Sequence, residues 1–183
     1  MIIPDQAGCM DLLQKYQTPH HIILHSQRVW EVAKLVADGL MRNNHEIDMH
    51  LQRASCLLHD IAKYPCIVDG KGWHDERGEK ILDQEGLPSV ARIVVQHVIL
   101  RDGNGHSIKE EHVLYYADKR VVHDTVVSLE ERFVYLEETY GVSSKAMAGL
   151  NEMKEKCFKL EKRIFRLLDF EPEDVVGLIE QIP

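Results

Sequence analysis

The sequence predicts an all-α fold, and three observations support this prediction. Apolar residues recur at spacings of three and four positions over nearly the whole chain, as they do on one face of a helix. Helix-start and helix-stop signals, such as Thr18-Pro19 and Gly141, fall at the ends of these periodic segments. No segment shows the convincing alternation that is typical of a half-buried strand.

The pattern gives the helices in order along the chain. A short first helix is expected over about residues 8–16, and Thr18-Pro19 should cap a long second helix over about 20–43. The later helices are expected over about 48–64, 75–85, 88–100, 109–140 and 144–169, with a short last helix from Pro172. The third helix should stop before Pro65, since a residue that precedes proline avoids the helical conformation, and residues 65–73 should form a loop.

The composition is that of a globular protein without a membrane span. Hydrophobic residues make up 44% of the 183 residues and charged residues 28%, which is ordinary for a globular protein. The length indicates one domain, and the helical pattern indicates a C-terminal helical extension over about 126–183. The net charge of −8 argues against a nucleic-acid partner. No segment approaches the roughly 20 apolar residues of a membrane span, the N-terminus does not have the pattern of a signal peptide, and the four cysteines suggest no disulfide framework. We therefore expect a cytoplasmic protein.

Several histidines and aspartates fall on helix faces that are otherwise apolar. His25 lies on the apolar stripe of the second helix, and His59-Asp60 follow a segment that is apolar on almost all sides, as in a buried helix. Three later helices carry polar residues on apolar faces in the same way: His74, His97 and Asp118.

Each of these histidines alone would fit a hydrogen-bonded core residue, but together they indicate a metal site. A buried carboxylate without a partner costs several kcal/mol, so two carboxylates that converge with four imidazoles favour one or two divalent cations as partners. Mixed imidazole and carboxylate ligation suits iron, manganese, cobalt, nickel or zinc, and a carboxylate can bridge two cations.

Three short motifs carry a family resemblance. They are His25-Ser26, the string LLHDIAK from Leu57 to Lys63, and Tyr116-Ala117-Asp118-Lys119. In this order the chain resembles the HD-domain superfamily of metal-dependent phosphohydrolases. The resemblance covers about residues 18–125, which it implies to be the motif-bearing core of the single domain. The glycine that is commoner in the family's His-Asp string is replaced by Ala62, which a helix tolerates.

His74 and His97 extend this resemblance to a branch with six ligands. Both fall between the His-Asp pair and the final aspartate, as in members that hold two metals, and the set is similar to that of the bacterial symmetrical diadenosine tetraphosphate hydrolases. The resemblance implies one metal on His25, His59 and Asp118, a second on His74 and His97, and Asp60 between them. After His97 the branch usually has a small polar segment, where this chain has Val98-Ile99-Leu100.

The resemblance implies cleavage of a phosphoester or phosphoanhydride bond in a small nucleotide by a metal-activated hydroxide. Asp60 and Lys63 are the expected catalytic residues: Asp60 could accept the proton of the water, and Lys63 could neutralise charge on a phosphate oxygen. Lys63 and Arg28 are the expected substrate-binding residues, and His106, in the loop after His97, is a candidate to cover the substrate.

Two other classes of function remain open at this level. A regulatory module could bind a nucleotide or a metal without turnover, and a structural helical protein could use the same polar residues as core ion pairs.

The charged segment of Glu130, Glu131, Arg132, Glu137 and Glu138 is interpreted as a solvated helix face. The apolar stripe of Phe158, Leu160, Ile164, Phe165 and Leu168 fits either the core or a homodimer contact.

Overall fold

The structure, a computed structural model, describes residues 3–101 and 107–181 and confirms the all-α fold. The helices are α1 (Gln6–Lys15), α2 (His20–Arg42), α3 (Met49–Leu58), α4 (Lys63–Asp69), α5 (His74–Gln84), α6 (Pro88–Val94), α7 (Glu110–Lys119), α8 (Leu129–Tyr140), α9 (Ser144–Phe165) and α10 (Val175–Glu180). A 3-10 turn, Pro172–Asp174, precedes α10, and two short strands, β1 (Val121–Val122) and β2 (Thr125–Val126), lie between α7 and α8.

Side-chain caps define where several helices begin. The carboxylates of Asp5 and Asp48 accept backbone N–H groups in the first turns of α1 and α3, and the hydroxyl of Ser128 accepts the N–H of Glu131 in α8. Such caps satisfy backbone donors that have no partner within the helix. The expected cap at Thr18 is wrong, because Pro19 occupies the N-cap position of α2 and no side chain caps that end.

The expected third helix is interrupted, and the expected fifth helix ends earlier than predicted. α3 ends at Leu58, residues 59–62 form turns, and α4 then begins, so the predicted loop over 65–73 is wrong for its first part. Pro65 lies within the first turn of α4, where a missing N–H costs no helical hydrogen bond. Similarly, α6 ends at Val94 and residues 95–98 form turns. Both interruptions carry residues of the candidate site.

The single long helix expected over 109–140 is also wrong, as is the expected absence of strands. α7 ends at Lys119, and β1 pairs with β2 in an antiparallel hairpin, with Val121 opposite Val126 and Val122 opposite Thr125. β-branched residues favour strands, and the hairpin turn after β1 contains His123 with a positive φ of 54°, a conformation that does not occur within an α-helix.

The buried apolar residues form two clusters. The larger one gathers side chains of α2, α7, α8, α9 and α10, and the second gathers side chains of α1, α3, α5 and α6. Trp30 and Leu51 pack against both clusters. Leu160, Ile164 and Phe165 are buried in the larger cluster, while Phe158 and Leu168 pack against it, so the apolar stripe, which runs along α9 and ends beyond it at Leu168, contributes to the core.

Arg120 connects the end of α7 to the C-terminal region. It is 2% exposed, and its guanidinium donates to the carbonyl of Val127 at 2.6 Å, to that of Pro172 at 3.1 Å, and to the hydroxyl of Tyr116. The carboxylate of Glu161 on α9 lies 3.5 Å from the same guanidinium. The buried charge of Arg120 therefore holds several segments together.

In the described part of the chain, the helices are all too short or too polar to cross a membrane.

Candidate metal centre

The structure brings the six predicted ligands together from five regions of the chain. His25 lies on α2, His74 is the first residue of α5, and Asp118 lies near the end of α7. His59-Asp60 lie in the turn after α3, and His97 lies in the turn after α6. Five of the six side chains are buried, and His74 is partly exposed.

Asp60 lies at the centre of this arrangement. Its Oδ1 atom is 3.4 Å from Nε2 of His74 and 3.7 Å from Nε2 of His97, while its Oδ2 atom is 3.6 Å from Nε2 of His59. The ligand atoms of two groups lie within 4.8 Å of one another: His25, His59 and Asp60 form one group, and Asp60, His74 and His97 form the other. Asp60 belongs to both groups.

Asp118 lies beside the first group. Its Oδ1 atom is 3.1 Å from Nε2 of His25 and 3.6 Å from Nε2 of His59. Two buried atoms of the site, Oδ1 of Asp60 and Nε2 of His59, have no hydrogen-bond partner among the described residues. Buried polar atoms are rarely left without a partner, so these orphaned atoms fit a divalent cation.

Backbone carbonyls orient three of the four imidazoles. Nδ1 of His25 lies 2.8 Å from the carbonyl of His123, Nδ1 of His59 lies 2.8 Å from that of Cys56, and Nδ1 of His97 lies 2.7 Å from that of Val94. A carbonyl only accepts, so each Nδ1 carries a proton and each Nε2 faces the site. The carbonyls of Cys56 and Val94 are available because they lie in the last turns of α3 and α6.

Electrostatic interactions keep the carboxylates ionised. Burial alone would raise the pKa of Asp60, but the neighbouring charges of His59 and Lys63 outweigh it and hold the pKa well below the usual range. Burial also acts against ionisation of Asp118, but Lys119 and the hydrogen bond from His25 hold its pKa well below the usual range. Ionised carboxylates are the form that binds cations.

The imidazoles differ in protonation. Burial lowers the pKa of His74 to about 4, so its imidazole is neutral at neutral pH and available to a metal. Burial also lowers the pKa of His59, but Asp60 and Asp118 outweigh this effect and raise it overall. A cation on Nε2 of His59 would displace that proton, so metal affinity should fall as the pH falls.

Two lysines contact the carboxylates. Nζ of Lys63 lies 2.7 Å from Oδ2 of Asp60, and its side chain is 41% exposed. Lys119, which has no expected role from the sequence, is buried, and its Nζ donates to Oδ2 of Asp118 at 2.7 Å and to the carbonyl of His97 at 2.6 Å. The feature of the sequence that could have indicated a role for Lys119 is its position directly after Asp118, in the last turn of a largely apolar helix.

Arg28, a predicted substrate-binding residue, lies away from the candidate metal centre. The guanidinium of Arg28 donates to the carboxylate of Glu31 and to the carbonyl of Asp124, and Arg28 does not line the cavity beside the centre. The structure therefore does not bring Arg28 to the site where substrate binding was expected. His106 lies outside the described residues.

A cavity of about 570 Å³ adjoins the candidate metal centre. Asp60, His74, His97 and Asp118 contribute to its lining together with Lys63 and Lys119. The remaining lining comes largely from three regions: Cys66 and Ile67 of α4, Gly72-Trp73 before α5, and the side chains of Arg132, Leu136, Tyr140, Leu150 and Met153 on α8 and α9. The interpretation of Arg132 as part of a solvated face is wrong, because α9 packs against α8, Arg132 lines the cavity, and its Nε atom is buried.

Cys66 is expected to be the cysteine that alkylating reagents modify in the folded protein. Burial raises the pKa of Cys9, Cys56 and Cys157 to about 12, whereas Cys66 is half-buried and lines the cavity. Because the thiolate is the reactive form, iodoacetamide at about pH 8 should label Cys66 first. Peptide mass spectrometry measures the labelling, with Cys66→Ser as the control. Equal labelling of Cys9 would contradict the burial of that thiol.

Comparisons with known proteins identify the family. The model of the HD domain family matches residues 22–169, a range that includes α8 and α9. A protein of Thermoplasma volcanium named tRNA (cytidine(56)-2'-O)-methyltransferase is 27% identical over 188 residues, and the match covers 95% of this chain. The chain spans about half of that relative's length, 51%. No solved structure matches the chain. Since the family model matches most of its length, the chain belongs to the HD domain family.

Proposed function

We propose that the protein is a metal-dependent phosphohydrolase that cleaves a phosphoester or phosphoanhydride bond of a small nucleotide. The observation that carries this proposal is the position of Asp60, whose carboxylate is shared by two groups of candidate ligands and has one buried oxygen without a hydrogen-bond partner. Membership of the HD domain family, which generally contains metal-dependent hydrolases, supports the same reaction class.

The proposed cofactors are two divalent cations, drawn from iron, manganese, cobalt, nickel and zinc. His25, His59 and Asp118 would hold one, His74 and His97 the other, and Asp60 would contact both. When bound, such cations lower the pKa of water and stabilise negative charge on a phosphoryl oxygen. The ligand set supports a likeness to the symmetrical diadenosine tetraphosphate hydrolases, and that substrate belongs in the test panel.

The chain's own residues would bind and orient the phosphate. Asp60 is ionised and could accept a proton from the attacking water. Lys63 has its ammonium group 2.7 Å from Asp60 and lines the cavity, so it could bind a phosphate oxygen and neutralise its charge. Lys119 holds Asp118 in position through its hydrogen bond to Oδ2.

The test is metal analysis combined with an activity panel. Protein purified without chelator should contain about two metals per chain by elemental analysis, and it should release phosphate or a nucleotide from selected substrates with added manganese. The panel should include nucleoside monophosphates, dinucleoside polyphosphates and signalling nucleotides. Metal without turnover would favour the alternative of a regulatory module that binds a nucleotide or a metal. Absence of metal after reconstitution would overturn the proposal.

His74→Ala is expected to remove one cation and leave the other. The reason is that His74 belongs to the second group of ligands alone, while His25 and His59 remain in the first. The metal content measured by elemental analysis should fall from about two metals per chain to about one. Activity should fall by about 10-fold to 100-fold or more, since this is the usual loss even for residues that only hydrogen-bond to a metal ligand.

His50→Ala is the matched control for this variant, because His50 is exposed and belongs to neither group. It should keep the wild-type metal content and activity. An unchanged metal content in His74→Ala would contradict the second cation and leave a site with a single metal.

The cytoplasmic location, the homodimer and the absence of a nucleic-acid or membrane partner stay predictions.

A further inference from the structure

The cavity beside the metal centre combines polar and apolar chemistry. Its polar lining includes four of the six candidate ligands and Lys63, while Leu136, Leu150 and Met153 on α8 and α9 contribute an apolar wall. α8 and α9 carry no candidate metal ligand, so their side chains at the cavity need another explanation. A purely inorganic phosphate would make no use of an apolar wall.

Exposed apolar groups extend this wall toward solvent. Trp73 lines the cavity and is 70% exposed, and Ile67 lines it and is 68% exposed. Tyr140 adds a second aromatic ring to the lining and is also exposed. Large apolar side chains that gather at a cavity mark a binding surface, and an indole face can stack on the ring of a base.

Arg132 supplies a positive charge within this apolar region. Its Nε atom is buried and has no hydrogen-bond partner, and no carboxylate forms an ion pair with it in the ranges 3–101 and 107–181. The guanidinium lies 5.6 Å from the ring centre of Tyr135, a contact that leaves its donors free for an acceptor. A buried donor without an acceptor costs about 1–3 kcal/mol, so the position favours an anionic ligand.

We propose that Arg132 is a substrate-binding residue that holds a phosphate oxygen, while Trp73 and the apolar wall hold the base of the same nucleotide. This inference rests on the proposed function, and it names the part of the substrate that the C-terminal helices recognise. The preferred substrates are nucleoside phosphates, with inorganic pyrophosphate and polyphosphate disfavoured. An arginine binds phosphate through a planar fork of donors, which fits this role.

The first test compares wild type with Arg132→Gln in steady-state kinetics on the best substrate of the nucleotide panel. A hydrogen bond to a charged group contributes about 1.5–3 kcal/mol, which corresponds to a loss of about 10-fold to 100-fold in affinity. KM should rise by about this factor, while kcat changes by less than about three-fold and metal content is unchanged. Arg166→Gln, an exposed arginine outside the cavity, is the matched control and should behave as wild type.

The second test measures binding without turnover. AMP should quench the fluorescence of Trp73 in the purified protein immediately after mixing, and Trp73→Phe should remove the quenching while Trp30 still fluoresces. Arg132→Gln should weaken AMP binding about 10-fold to 100-fold and leave adenosine binding unchanged, because adenosine has no phosphate. Inorganic phosphate should cause little quenching.

The outcomes separate this inference from the proposed function. Equal AMP affinity and equal KM in wild type and Arg132→Gln would overturn the role of Arg132 even if the enzyme hydrolyses nucleotides. Absence of quenching by AMP, or faster hydrolysis of pyrophosphate than of any nucleotide, would overturn the role of the apolar wall. AMP binding that depends on Arg132 without any turnover would support the binding site and contradict the phosphohydrolase.

Discussion

Asp60→Ala is expected to abolish metal retention and turnover while the helical content stays close to that of wild type. Asp60 contributes to both groups of ligands, so its loss removes a contact from each cation. Bound cations contribute several kcal/mol to transition-state stabilisation, and each 1.4 kcal/mol is a factor of ten in rate. We therefore expect kcat/KM to fall on the order of 10³-fold or more, measured with elemental analysis and circular dichroism on the same samples.

Asp83→Ala is the matched control for this variant, because Asp83 is an exposed aspartate on α5 outside both groups. It should keep the metal and the activity of wild type. Asp60→Asn, which keeps the shape of the side chain but loses its charge, should resemble Asp60→Ala in metal content. Full activity in either Asp60 variant would show that the shared carboxylate is not part of the catalytic centre.

Arg120→Ala is expected to lower the free energy of unfolding by about 3–5 kcal/mol, the usual cost of removing one partner of a buried ion pair. Arg120 is almost fully buried and bonds to the carbonyls of Val127 and Pro172, and its loss leaves Glu161 without its nearest positive charge. Burial already raises the pKa of Glu161, and the charge of Arg120, which acts to lower that pKa, would be lost. Urea denaturation followed by circular dichroism measures the change.

Arg166→Ala provides the control, since this arginine is exposed and should change stability by less than about 0.5 kcal/mol. If Arg120→Ala does not fold, the double variant Arg120→Met with Glu161→Leu should recover much of the stability, because apolar pairs often replace buried ion pairs without loss. A loss below about 0.5 kcal/mol in Arg120→Ala would contradict the role of Arg120 in holding α7 to the C-terminal region.

The sequence was sufficient to predict the all-α fold and the residues that converge at the candidate site, because buried polar residues stand out on apolar helix faces. The breaks after Leu58 and Val94 were missed because the apolar pattern continues through them, with Ile61 and Val95 buried beyond each break. There the imidazoles of His59 and His97 hydrogen-bond to carbonyls three residues earlier in the chain, and the apolar periodicity does not reveal such a local contact.

The roles of Arg132 and Lys119 could not be predicted from the sequence, for a different reason. Arg132 lies among glutamates, and helical periodicity alone assigns such a segment to solvent. Whether a neighbouring helix covers it depends on how α9 returns along α8, which is a long-range contact. Lys119 is visible in the motif, but its hydrogen bond to the carbonyl of His97 depends on the break in α6.

The carbonyl of His123 that orients His25 lies in the hairpin turn, 98 positions further along the chain, and Asp118 is 93 positions from His25. Bringing such distant segments together costs chain entropy, and the unfolded chain cannot hold these ligands in place. A cation that binds the folded chain alone stabilises it by mass action, by about 2.7 kcal/mol when the free metal reaches about 100 times its Kd. Metal supply would therefore regulate how long the protein resists heat and proteolysis, in addition to its activity.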